Sequence, residues 1–220
     1  MAQEHHIKVA RTARYYTLGE LNEQTRHIWF ALHGYGQLAQ FFIRKFDVLD
    51  DGQTYVVAPE GLSRLYLDPQ YSRIGASWMT REDRHNEISD TLNYLNTLYD
   101  AVLKEKNPEK LTINLLGFSQ GCAAVCRWFN AGHIRCDRLL LWAGFFPNGL
   151  ADVIDPAKLV GVDTAYVYGT RDEYIEQMDD ADGYLNRLKQ EVPALQVIAY
   201  DGTHSVDREV LSRLAKPSDR

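Results

Sequence analysis

No stretch of this 220-residue chain approaches 18 consecutive apolar residues, so no membrane-spanning helix is expected. The opening residues, Met1-Ala2-Gln3-Glu4-His5-His6-Ile7-Lys8, lack the apolar core of a secretory leader, and no signal peptide is expected. Cysteine is scarce. Three of them, an odd number, offer no disulfide framework. Cys122 and Cys126 lie four apart among apolar residues and read as buried free thiols. These absences together point to a soluble, cytoplasmic protein without a stable membrane anchor. No Lys/Arg cluster offsets the net charge of −6, which argues against a nucleic-acid partner. Seven histidines form no H-E-x-x-H or comparable cluster, and His5-His6 is an isolated pair. Neither metal nor other cofactor is expected. There is no internal repeat, linker or low-complexity segment.

What is present is ordinary globular composition, 45% hydrophobic and 25% charged. The length suits one domain over residues 1–220 with a sizeable core. The chain centres on Gly117-Phe118-Ser119-Gln120-Gly121. A chance G-x-S-x-G occurs in about one chain in fifteen of this length, so its setting decides its meaning. Before it, Leu111 to Leu116 is an apolar, β-prone run that reads as a buried strand. After it, Cys122 to Phe129 reads as a packed helix. Strand, sharp turn and helix are the setting of a nucleophile elbow, with Ser119 strained at its tip. Gly117 and Gly121 flank it where a side chain would collide.

The rest of the chain alternates strand and helix. Residues 5–17 read as a strand and Arg26 to Leu32 as the next, an antiparallel hairpin leading into a parallel sheet. His33-Gly34-Tyr35-Gly36-Gln37 follows, then an amphipathic helix from Leu38 to Phe46. The segment Gly34 to Ala39 also matches the dinucleotide fingerprint G-x-G-x-x-A, with Glu60 after the next strand as a ribose-binding acid. A hairpin preceding the supposed first strand weakens that reading, as does the lack of a Tyr followed four residues later by Lys. A plain glycine turn is a third option. Thr54 to Pro59 is a buried strand. Residues 61–81 lack periodicity and read as a long loop, which in a compact domain is usually functional. Tyr66, Tyr71, Trp78 and Met79 in it, with Phe145 further on, are expected to line a substrate pocket. Glu82 to Lys104 reads as a long helix. Strands follow at Arg138–Gly144, Thr164–Gly169 and Leu195–Tyr200, with helices at Tyr174–Glu191 and Val206–Leu214. The tail from Lys216 to Arg220 is expected to fray. The pattern predicts one α/β domain with a mostly parallel sheet and helices on both faces.

Three residues suit acyl transfer. A serine hydroxyl is hardly ionised at neutral pH and needs a base. An imidazole, with a free pKa of about 6.5, can take that proton and return it to the leaving group. His204 follows the last strand. A carboxylate must hold the imidazole, and Asp172 follows the strand before it, with Glu173 as fallback. The order Ser119, Asp172, His204 is that of α/β-hydrolases. Backbone N–H groups of Gln120 and Tyr35 are the expected oxyanion donors.

On these residues the sequence resembles the phospholipase/carboxylesterase family of α/β-hydrolases, small serine esterases that include acyl-protein thioesterases. The matching stretches are Leu32-His33-Gly34-Tyr35-Gly36, Ala58-Pro59, Trp78, Gly117-Phe118-Ser119-Gln120-Gly121, Gly169-Thr170-Arg171-Asp172 and Gly202-Thr203-His204. The resemblance implies a triad of Ser119, Asp172 and His204, with Tyr35 and Gln120 at the oxyanion hole. Gln37, Cys122 and Tyr174-Ile175 stand where the family commonly has an acid, a glycine and Val-Pro. The expected activity is carboxylic-ester hydrolysis on a small or lipid-like ester, by a monomer or homodimer. A thioesterase or lysophospholipase would use the same triad. A ligand-binding pseudohydrolase is the alternative of another class.

Overall fold

The computed structural model describes residues 1–104 and 106–216. The expected fray falls, from Pro217 onward, outside them. In chain order the strands and helices are β1 (Tyr15–Leu18), β2 (His27–Leu32), α1 (Ala39–Phe42), β3 (Thr54–Pro59), β4 (Ser63–Tyr66), β5 (Ile74–Ser77) and α2 (Arg84–Leu103). Then come β6 (Thr112–Phe118), α3 (Gln120–Asn130), β7 (Arg138–Trp142), β8 (Asp163–Gly169), α4 (Glu173–Glu176), α5 (Ala181–Glu191), β9 (Gln196–Tyr200) and α6 (Arg208–Ala215). A 3₁₀ helix, Ile43–Leu49, continues directly from α1.

Seven strands form one sheet in the order β1-β3-β2-β6-β7-β8-β9. All neighbours are parallel except β1 and β3. Apolar residues on both faces of each strand explain the near-continuous hydrophobic runs, since a parallel sheet is covered on both sides. Ile28, Phe30, Leu32, Ile113, Leu115, Leu139 and Leu141 share one buried cluster with Leu95 of α2, Trp128 of α3 and Leu188 of α5. Their alternates Trp29, Ala31, Leu116, Leu140, Trp142 and Val167 pack with Phe42 of α1, Phe46 and Leu211 of α6. Helices therefore cover both faces, and the period of two decides which residue meets which layer.

Three expectations are corrected. The antiparallel N-terminal pair is present, but β1 pairs with β3, Tyr15 opposite Pro59, and makes no hairpin with β2. Strand structure there begins only at Tyr15, so residues 5–14 are not strand. Residues 61–81 contain an antiparallel two-stranded sheet, β4 with β5, in register from Ser63–Ser77 to Tyr66–Ile74. The alternation was hidden because each strand is only four residues long, Ser-Arg-Leu-Tyr and Ile-Gly-Ala-Ser, too short to show a period of two. The helix read from Tyr174 to Glu191 is two helices, α4 and α5, and Asp180 caps the second by accepting from the Gly183 N–H at 2.8 Å. An Asp cap restarts a helix where the periodicity alone runs on.

Candidate active site

Ser119 lies between β6 and α3, as the residue preceding the helix, with φ 52° and ψ −117°. Few non-glycine residues hold a positive φ, and such strain persists only where surroundings enforce it. The flanking glycines enforce it. A Cβ on Gly117 would sit 2.5 Å from the Gly121 carbonyl oxygen, and one on Gly121 would overlap the Leu32 carbonyl. The Ser119 N–H donates to the Trp142 carbonyl at 2.8 Å, pinning the turn to the neighbouring strand end.

Asp172 follows β8 and His204 follows β9, so their loops leave the same edge of adjacent parallel strands. Backbone bonds draw the two loops together: Thr170 N–H to the Tyr200 carbonyl at 2.8 Å, and Arg171 N–H to the Gly202 carbonyl at 2.9 Å. Asp172, 1% exposed, accepts at Oδ2 from His204 Nδ1 at 2.7 Å. Its other oxygen accepts from the Tyr174 N–H at 3.0 Å, as the cap of α4. With the carboxylate held at Nδ1, that nitrogen carries the hydrogen and Nε2 is left with its lone pair. The imidazole lies between two rings, Phe118 at 4.9 Å and Tyr174 at 4.6 Å between centroids. Among the described residues, no hydrogen bond joins Ser119 Oγ to His204.

The H-G-x-G loop packs directly over the elbow: a Cβ on Gly34 would lie 2.9 Å from the Phe118 ring and 3.2 Å from Ser119 Cβ. Within the loop the Gly34 N–H donates to Gln37 Oε1 at 2.9 Å, and the Gly36 N–H to the Ala76 carbonyl at 2.9 Å. The N–H groups of Tyr35 and Gln120 have no protein acceptor among the described residues. His33 is buried beneath this loop. Its Nε2 accepts from the Gly61 N–H at 3.0 Å, so Nδ1 carries the hydrogen and donates to the Gly34 carbonyl at 2.7 Å. Burial pushes this imidazole below its ordinary range, against a smaller raising effect of the Gly34 bond.

The expected pocket residues divide differently. Trp78 is 1% exposed and donates its indole N–H to the His33 carbonyl at 2.7 Å, so it props the loop and is absent from the lining of the cavity beside it. Tyr66 and Tyr71 are exposed on the β4–β5 hairpin and pack edge to face at 5.0 Å. Phe145 is exposed against Tyr184, at 5.9 Å. Met79 lies beside Arg127, with Nη1 3.8 Å from its sulfur. From the same hairpin it is Leu67, Ser72, Arg73 and Ile74 that border a cavity beside the H-G-x-G loop.

Sequence reasoning missed several supporting groups. The Gln120 side chain accepts from the Trp78 N–H at 3.1 Å and donates to the Met79 carbonyl at 2.9 Å, fastening residues 77–79 to the elbow. Tyr174 was legible only as a departure from a motif, and its tilted packing against His204 needed the fold. Glu60, weighed as a ribose-binding acid, is 1% exposed and fully engaged. It meets Arg14 at 2.7 Å, Arg64 at 3.1 Å and the Ala39 N–H at 3.2 Å. A buried acid directly after a strand was its only signal in the sequence. Cys122, Cys126 and Cys136 are free and buried, and burial pushes all three thiols up. No helix among the described residues is long and apolar enough to cross a membrane.

The model of one protein family, described as serine hydrolase (FSH1), matches residues 24–210. Comparison with curated proteins finds no match. Among solved structures the chain is similar to Zea mays acyl-protein thioesterase 2, at 14% identity and TM-score 0.65, covering 92% of this chain and 96% of that one. It is similar to esterase PE8, at 17% identity and TM-score 0.61, over 93% and 98% of the two chains. It is similar also to the Bacillus cereus carboxylesterase, at 13% identity and TM-score 0.61, over 92% and 91%. At such identities the likeness is one of fold, and that fold is the α/β-hydrolase fold expected from the sequence.

Proposed function

Because the chain belongs to the serine hydrolase (FSH1) family, we propose that it cleaves carboxylic esters through an acyl-enzyme on Ser119. The observation that carries this reading is the Asp172–His204 bond of 2.7 Å, made by loops from the same sheet edge that presents Ser119. In the proposed cycle His204 Nε2 takes the Ser119 proton as Oγ attacks the ester carbonyl. Asp172 holds the imidazole in the required tautomer and stabilises the imidazolium. The carbonyl oxygen, now negative, accepts from the Tyr35 and Gln120 N–H groups, both free of protein acceptors among the described residues. His204 then returns the proton to the departing alcohol, and a water activated by the same base releases the acid. The Ser119–His204 hydrogen bond is one that such sites commonly make only with substrate in place.

The test is hydrolysis of nitrophenyl esters of increasing acyl length, with Ser119→Ala as control. Loss of Oγ is expected to lower kcat by about 10⁴–10⁶. A variant within about tenfold of the parent would remove Ser119 from the reaction. A thioester of matched acyl length belongs in the same panel, because the maize structure similar to this chain is a thioesterase. Absence of serine-dependent turnover on every ester and thioester would favour a binding protein on a hydrolase scaffold.

A further inference from the structure

A cavity of about 630 Å³ lies beside the H-G-x-G loop, within the size range of small-ligand pockets. Its walls come from the loop itself at Gly36 to Leu38, from α1 with the 3₁₀ helix after it, and from the β4–β5 hairpin. Gly36 holds the hairpin close, since a Cβ there would sit 3.2 Å from Leu67 Cδ2. Phe41, Phe42, Leu67 and Ile74 supply an apolar lining, and Lys45 and Arg73 add two cations. Among the described residues no acidic residue lines it, the Asp68 carboxylate being occupied outside the lining by the Ser72 and Arg73 N–H groups. Among the described residues neither cation pairs with a carboxylate, and the half-buried Lys45 donates only to Ser205 Oγ, at 3.3 Å. The remaining Lys45 N–H groups are free for a ligand. This local charge is opposite in sign to the chain's net −6. Lys45 also borders a larger cavity on the far side of the His204 loop. There Arg171 is paired with Asp201 and Arg208 with Asp47, and Asp207 and Glu209 add acidic groups to the lining, in contrast to the apolar cavity.

The apolar cavity lies one residue along the loop from Tyr35, with the Phe118 ring between its wall and His204. Phe42 in its wall stacks on Phe118 at 6.1 Å, and Phe118 packs on His204. A neutral acyl chain filling it would strip water from Lys45 without replacing it, which is costly. An acyl chain ending in a carboxylate would bury its methylenes on the aromatic wall and offer the cations a charge-assisted bond.

We propose that this cavity receives the acyl part of the substrate and that the acyl part ends in a carboxylate, making the substrate class half-esters of aliphatic dicarboxylic acids. The inference rests on the ester-hydrolase reading above. The experiment compares kcat/KM for matched nitrophenyl esters at pH 7.5: butyrate with hemisuccinate, hexanoate with hemiadipate, octanoate with hemisuberate. The acid-ended member is expected to exceed its neutral counterpart by about tenfold or more, the scale of one hydrogen bond to a charged group. That ratio is expected to fall toward unity in Lys45→Met, in Arg73→Gln on the exposed hairpin, and at high ionic strength. A ratio of one or less in the parent, with Ser119-dependent turnover of the neutral esters, would overturn the inference and leave the hydrolase reading standing. So would a high ratio unchanged in both variants. Calorimetric binding of monomethyl suberate to Ser119→Ala gives a readout that needs no turnover. Binding that is lost in the Ser119→Ala/Lys45→Met double variant supports carboxylate recognition by the cavity independently of turnover. No binding, or binding equal in the two proteins, overturns it.

Discussion

Asp172 shows what a single carboxylate does here. One oxygen orders α4 by taking the Tyr174 N–H, and the other fixes the His204 tautomer. Asp172→Asn keeps the cap but presents an amide to Nδ1, which favours the wrong tautomer. A fall in kcat of about 10³–10⁴ is expected in steady-state assays, with thermal stability little changed. His33 carries a different consequence, on stability. It is neutral in the fold, its Nε2 taken by the Gly61 N–H, and burial holds its pKa low. The unfolded chain therefore binds a proton at His33 that the folded chain refuses. Stability contributed by this residue is whole above about pH 6.5, the unfolded imidazole value, and declines as pH falls below it. Urea midpoints measured from pH 8 to pH 5 are expected to fall, with a shallower slope in His33→Gln. Parallel slopes would show that His33 does not contribute. His204 and His33 are indistinguishable as letters after a strand. Only the neighbours on the second ring nitrogen separate a base facing the site from a strut beneath a loop.

At the scale of elements, the elbow is held from outside by the side chain of Gln120, a residue the sequence marked only for its backbone N–H. Gln120 bonds the Trp78 N–H and the Met79 carbonyl, so α3 is tied to the segment following β5. Gln120→Ala leaves the backbone donor in place and removes both ties. A loss of about 1–3 kcal/mol in unfolding free energy is expected, with a reduced kcat, read from chemical denaturation and nitrophenyl-ester assays. Stability and rate equal to the parent would show the segment to be held by other contacts. Glu60 performs a similar task further from the chemistry, collecting Arg14, Arg64 and the first turn of α1 around one buried carboxylate. The strand ahead of each such residue was legible from apolar, β-prone runs. Apart from Arg64, four positions from Glu60, the partners were not, because they lie 21 to 46 positions away. The β4–β5 hairpin escaped notice for a related reason: strands of four residues carry little hydrophobic alternation, and the close approach of Gly75 to Gly36 joins segments far apart in the chain.

Across the whole molecule, the two layers of helices seal the interior from both sides, and all three cysteines lie inside. Burial pushes their thiols up, so thiolate is scarce in the folded state. Labelling with a thiol reagent at pH 8 is expected to be negligible in the native protein. All three groups are expected to react together once denaturant unfolds the sheet. Rapid modification of one thiol under native conditions would reveal local opening around α3 or the strand end near Cys136. The sheet order places β6 centrally, with β7, β8 and β9 fanning out on one side of it. That order gathers Ser119, Asp172 and His204 on a single edge although 85 residues of chain separate the first from the last.

The sequence by itself determined the parallel sheet, the elbow glycines, the burial of Cys122 and Cys126, and the chain order of serine, acid and histidine. Each is written locally, as an apolar run, a tight turn or a residue just past a strand end. Only the tertiary structure decided that β1 joins β3, that Trp78 is a prop, that Glu60 is a clamp, and that Lys45 stands uncompensated at an apolar cavity. Those outcomes depend on which distant groups share a neighbourhood. Side-chain reach and charge pairing act through space, over a few ångströms, and a linear pattern carries no record of which segments come within that range.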